Sequence, residues 1–116
     1  MALGELERLV MTVLWGTPET ALSVREVAEH FPDHAYTTIM TVLHRLVQKG
    51  FVVESRQGRA NFYRCAATKP EYVASLMAEA LLDSDDKSAA LTHFAAAMNT
   101  NEREILSQLL RRLKRP

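Results

Sequence analysis

Apolar residues recur at helical spacing along most of the chain and lose that period in one place, between Phe51 and Cys65. This interruption limits the fold more than any other feature, because it puts one short β element among helices. Before it, Leu6, Leu9, Val10, Val13 and Leu14 make an apolar stripe from Leu3 to Trp15, and Gly16-Thr17-Pro18 ends it. Ser23-Val24-Arg25-Glu26 reads as a capping box that opens a second helix. Val24, Val27, Ala28 and Phe31 are its apolar face, and Pro32 closes it. A third helix is expected over about Tyr36 to Lys49, with Gly50 where a left-handed residue ends a helix. The period then shortens. Phe51 to Arg56 and Asn61 to Cys65 are rich in β-branched and aromatic residues, and Gln57-Gly58-Arg59-Ala60 between them reads as a hairpin turn.

Helical spacing then returns. Thr68-Lys69-Pro70-Glu71 carries a second capping-box pattern with a first-turn Pro. Tyr72, Val73, Leu76, Met77 and Ala80 form the stripe of a fourth helix, and Asp83-Ser84-Asp85-Asp86 breaks it. A fifth helix is expected from Lys87 to Met98, with Ala90, Leu91, Phe94, Ala95 and Met98 inward. A sixth, after Asn99-Thr100-Asn101, carries Ile105, Leu106, Leu109, Leu110 and Leu113. The expected fold is mostly α with a small β-hairpin wing. Residues 1–67 form a winged helix-turn-helix domain, and residues 68–116 a three-helix domain. The second domain has strong stripes and little chain to cover them, so Leu91, Phe94, Leu106, Leu109, Leu110 and Leu113 are expected to meet a second copy.

Composition removes several classes. The 116 residues are 24% charged and 47% apolar, ordinary for a folded soluble chain. One cysteine, Cys65, excludes a disulfide framework and a Cys-rich metal centre, and fits a reducing compartment. The apolar run Leu9 to Trp15 is too short to span a bilayer and follows Glu5 and Glu7 where a signal peptide would carry cations. A cytoplasmic location is the expectation. His30 and His34 are four apart with Pro32 between them, so they share no regular helix face and suggest no metal. Phosphate-cradling glycine loops and nucleophile elbows are missing too, so the chain reads as neither an enzyme nor a cofactor carrier.

Net charge is zero but unevenly spread. Two basic and six acidic residues leave residues 1–43 at −4, whereas five basic residues and Glu54 leave residues 44–66 at +4. On a helical wheel Ile39, Val42, Leu43 and Leu46 cluster on one side of the third helix. Thr37, Thr41, His44 and Gln48 lie opposite, flanked by Met40 and Arg45. A small, hydrogen-bonding outer face with a cation at its margin suits a DNA major groove. A partnerless solvated face has the same pattern. The hairpin decides between them: Arg56, Arg59 and Arg64 lie on or beside it, where a wing contacts phosphate or a narrow minor groove.

Leu3-Gly4-Glu5-Leu6-Glu7, Val10-Met11, Leu14-Trp15, Ala35 to Leu46 and Lys49-Gly50 resemble the penicillinase-repressor family of BlaI and MecI type, over nearly the whole chain. The stretch Tyr36 to Gly50 is the most specific part. The resemblance implies a homodimeric repressor on inverted-repeat, double-stranded operator DNA of β-lactam-response genes. It implies that Thr38, Met40 and Thr41 face bases, and that Tyr36, Thr37, Arg45 and Arg59 lie near the backbone. Met40 departs from relatives with a cation there, which bears on operator preference. The resemblance also implies release by proteolysis in the dimerisation region, set off by a membrane-bound, β-lactam-sensing metalloprotease or a protease downstream of it. Relatives are cut at an Asn-Phe pair; here the pair reads His93-Phe94. Copper-sensing relatives carry a C-terminal Cys cluster, whereas this sequence ends Leu110 to Pro116 with no Cys. A winged-helix regulator released by a small molecule bound between its domains is the alternative.

Overall fold

In the computed structural model, which describes residues 3–114, six helices and three strands follow one another in two compact units that divide between Leu76 and Met77. The first unit holds α1 (Glu5–Gly16), β1 (Leu22–Ser23), α2 (Val24–Ala28), α3 (Tyr36–Gln48), β2 (Val52–Gln57) and β3 (Ala60–Cys65). It also holds the first half of α4 (Lys69–Leu82). The second holds the rest of α4, α5 (Lys87–Ala97) and α6 (Thr100–Leu113).

The three N-terminal stripes meet in one core. Val10, Met11 and Leu14 of α1, Val27 of α2 and Ile39, Leu43 and Leu46 of α3 are almost fully excluded from solvent. Val52, Tyr63 and Cys65 close it from the sheet. The strands are antiparallel in the order β1-β3-β2, with Leu22 opposite Tyr63 and Glu54 opposite Tyr63 on its other side. β1 is absent from the sequence expectation: two residues carry no alternation, and pairing with β3 alone makes them a strand. The expected second helix is also shorter, because Phe31 lies beyond its end at Ala28 and packs on the core from the turn.

Three sequence signals take the form expected of them. Ser23 Oγ accepts from the Glu26 amide at 3.1 Å while the Ser23 amide donates to Glu26 at 2.9 Å. Thr68 and Glu71 make the equivalent pair before α4. After α3 the Gly50 amide donates to the Val47 carbonyl and the Phe51 amide to the Leu46 carbonyl, both at 3.0 Å, with Gly50 at φ 85°. That is a Schellman motif, which closes the orphan carbonyls of α3 and turns the chain into β2. A Cβ on Gly50 would meet nothing within 4 Å, so only its backbone conformation resists substitution. Gly50→Ala is therefore expected to cost about 1–2 kcal/mol, read as a lower thermal midpoint. A loss below a few tenths of a kcal/mol would show that α3 ends without need of the left-handed residue.

Between α1 and the end of α3 runs a partly buried ion pair. Glu7 is 7% exposed, and Lys49 Nζ donates to its two oxygens at 2.8 and 3.0 Å. The Gly4 amide also donates to it at 2.9 Å. The first half of α4 is held by aromatic packing: the Tyr72 ring lies 5.4 Å from that of Trp15 and 5.6 Å from that of Phe51. The Tyr72 hydroxyl accepts from the Leu3 amide at 3.2 Å. These contacts explain why the first unit runs past residue 67 into α4.

The second unit is ordered locally and buries little. Asp86 caps α5, Asn99 and Glu102 form a capping box at α6, and Arg103 donates to the Ala95 and Ala96 carbonyls at the end of α5. Not one described residue of α5 or α6 is buried. The residues expected inward on the fifth helix, Leu91 and Phe94, are about half exposed, because so short a helical unit cannot enclose its own stripes. With Met77, Leu81 and Ala90 they line an apolar cavity of about 370 Å³. Arg111 and Arg112 stand in the last turn of α6, where cations oppose the helix dipole. The next arginine, Arg115, lies outside the described residues.

Candidate nucleic-acid interface

The outer face of α3 is set by its inner one. With Ile39, Val42, Leu43 and Leu46 buried, the helical period turns Thr37, Thr38, Thr41, His44, Arg45 and Gln48 to solvent. Tyr36 is exposed at the first position of the helix. Met40 differs from its neighbours: it is half-buried and packs on the core, so less of it reaches the outer surface than the wheel suggests. Ala35 occupies the N-cap and no side chain caps the first turn of α3. Its leading amides are left for an outside acceptor, the chemistry by which helix N-termini take phosphate.

The wing follows directly. Gly58 and Arg59 form a two-residue loop between Gln57 and Ala60, with Gly58 at φ 63° as a type II′ turn requires at its first central position. Arg56 Nε donates to the Gly58 carbonyl at 3.2 Å and braces the turn, while Arg59 projects from the tip into solvent. Arg64 is exposed on β3, between the inward Tyr63 and Cys65. Helix and wing form one surface, because His44 Nε2 lies 3.9 Å from Glu54 Oε2 on β2. Sequence reading missed this Glu54 contact; the signal available was a lone acid inside the basic stretch.

The other expected site residues belong to the second unit. Leu109 is 44% exposed and Leu113 80%, Leu91, Phe94 and Leu110 are about half exposed, and Leu106 is partly covered. His93 and Phe94 are exposed side chains in the middle of α5, so their peptide bond sits in a hydrogen-bonded helix. Among the described residues no group of three or more His, Cys, Asp or Glu side chains is placed to hold a metal. No helix there is long and apolar enough to cross a membrane.

Several solved structures share this fold. A MarR family protein from Bacillus stearothermophilus superposes with a TM-score of 0.53 over 97% of this chain and 74% of its own, at 15% identity. A possible transcriptional regulator for arsenical resistance does so with a TM-score of 0.52 over 82% of this chain and 91% of its own, at 26% identity. The sequence of transcriptional regulator BlaI of Mycobacterium tuberculosis is 40% identical over 97% of this chain and 85% of the relative. The family model described as penicillinase repressor matches residues 3–112. With its winged helix and its regulator relatives, none of them an enzyme, the chain belongs to the penicillinase repressor family and is a transcriptional repressor of the BlaI type.

Proposed function

We propose that this repressor is a cytoplasmic homodimer that seats one α3 in the major groove of each half-site of an inverted-repeat operator. The single observation that carries the reading is the continuous surface made by the uncapped, small polar face of α3 and the Arg-tipped wing. Thr38 and Thr41 approach base edges, with Met40 grazing them. Tyr36, Thr37, Arg45, Arg56 and Arg59 lie along the backbone, and His44 sits where helix and wing meet. In a two-fold dimer the half-sites fall about 10 bp, or a whole number of helical turns, apart.

The test separates base reading from phosphate attraction. Thr41→Ala is expected to weaken operator binding by about 1 kcal/mol and leave binding to random duplex unchanged. Arg59→Ala should weaken both and lower the salt slope by about one unit. Isotherms at several salt concentrations give both numbers. An equal loss on random DNA for Thr41→Ala removes that residue from base reading.

Release from the operators of β-lactam-response genes is proposed to follow cleavage of the His93–Phe94 bond by a membrane-bound β-lactam-sensing metalloprotease or a protease downstream of it. A cut there divides α5 and detaches the Leu stripe of α6 from the winged helix. Since the bond lies within a helix, local opening must precede cleavage. Mass spectrometry of the repressor from cells exposed to a β-lactam is expected to show the two fragments. Derepression with the chain still full-length would overturn the proposal.

A further inference from the structure

Residues 44–66 hold five cations and a single acid, Glu54. A carboxylate on a face meant for phosphate lowers affinity for every duplex unless it does something else. The β2–β3 register sets Glu54 directly opposite Tyr63, so both side chains share one face of the sheet. Tyr63 is almost fully buried. Burial first, then its hydrogen bond to Glu54, pushes its phenol up to about 12, so it remains a proton donor at neutral pH. On the other side His44 presents Nε2 at 3.9 Å, with its ring 6.2 Å from that of Tyr63. The carboxylate thus lies beside both a buried phenol and an imidazole of α3. The side chains of His44 and Glu54 stay 50% and 36% exposed, so both remain within reach of a bound duplex.

We propose that Glu54 is a specificity-determining residue of the DNA face, repelling the backbone of any duplex on which α3 is not fully seated. This rests on the DNA-binding reading above. With base contacts holding α3 at a set depth, His44 stands between the carboxylate and the DNA. Without them the backbone shifts, and phosphate meets the bare charge. Discrimination then comes partly from repulsion of the wrong site.

Glu54→Gln keeps the shape and an oxygen to accept from Tyr63, and removes the charge. The probes are a duplex selected by the wild-type protein from random fragments and a scrambled duplex of the same length. The variant is expected to bind the scrambled duplex about three- to tenfold more tightly, with operator affinity within about twofold of wild type. The operator-to-scrambled ratio then falls at least about threefold. Glu19→Gln removes the same charge from the loop between α1 and β1 and should leave the ratio unchanged. A Glu54→Gln ratio within about twofold of wild type, or an equal fall in Glu19→Gln, overturns the proposal. Failure of the underlying reading looks different: the wild-type protein would then select no duplex over the scrambled one, before any variant is compared.

Discussion

Leu109→Asp is expected to yield a monomer at micromolar concentration and to weaken operator binding by about 100-fold or more. Leu109 lies on α6 with Ile105, Leu106, Leu110 and Leu113, spaced three and four apart so that they share a stripe. Every one of them keeps solvent contact in the single chain, and none of the described residues of α5 or α6 is buried. A stripe of that length is rare on a monomer. Covering a leucine at a seam stabilises by roughly 1.5–3 kcal/mol, and two-fold symmetry counts each change twice. A carboxylate there also has to be desolvated. The effect on DNA follows from tethering. A dimer binds its second half-site at high effective concentration, and a monomer loses that factor of about 10² to 10⁴ although every DNA contact is intact. Sedimentation velocity and operator titration on the same samples decide this. A wild-type monomer at micromolar concentration, or a Leu109→Asp dimer, would sink the claim.

The two units differ in how far the sequence discloses them. In the first, Ile39, Val42, Leu43 and Leu46 pick out the inner face of α3 by spacing alone, and their burial fixes the outer face. Gly50 and Gly58 are legible because a turn with positive φ has few other residues to choose from. Contacts between distant residues are not legible. Glu7 reads as a solvated charge within the first stripe, and only Lys49, 42 positions later, gives it a reason to be buried. The Glu54 contact is hidden likewise, since it depends on the strand register and on which side of α3 faces β2. Met40 shows the limit of a wheel: its angle is outward of centre, yet its flexible side chain folds back onto the core. In the second unit the stripes are legible, but no described residue of α5 or α6 is buried, so what would cover them does not follow from the spacing.

The Glu7–Lys49 pair carries the largest effect expected within a single chain, and pH exposes it. The Lys49 ammonium, by its hydrogen bonds, holds the Glu7 carboxyl below the usual carboxylate range, helped by the Gly4 amide and opposed by burial. A lowered carboxyl stabilises the fold fully above its unfolded value, near 4.5, and that contribution disappears as pH falls through the lower folded value. Glu7→Gln leaves an ammonium without its charged partner in a partly buried site. Breaking a fully buried pair costs about 3–5 kcal/mol, and the 27% exposure of the Lys49 side chain reduces that to about 2–3 kcal/mol. In a unit of this size each kcal/mol lowers Tm by about 4–8 °C, so a drop of about 10–20 °C is expected at pH 7. The gap between wild type and Glu7→Gln should narrow as pH falls from the unfolded value near 4.5 through the lower folded value, because the wild-type carboxyl becomes neutral as well. Lys49→Met in the Glu7→Gln background should recover part of the loss, since it removes the stranded charge and keeps the apolar stem. If the gap between the single variant and wild type is the same at pH 7 and pH 3, the pair contributes through shape, and the ionic account of how α1 grips the end of α3 is wrong.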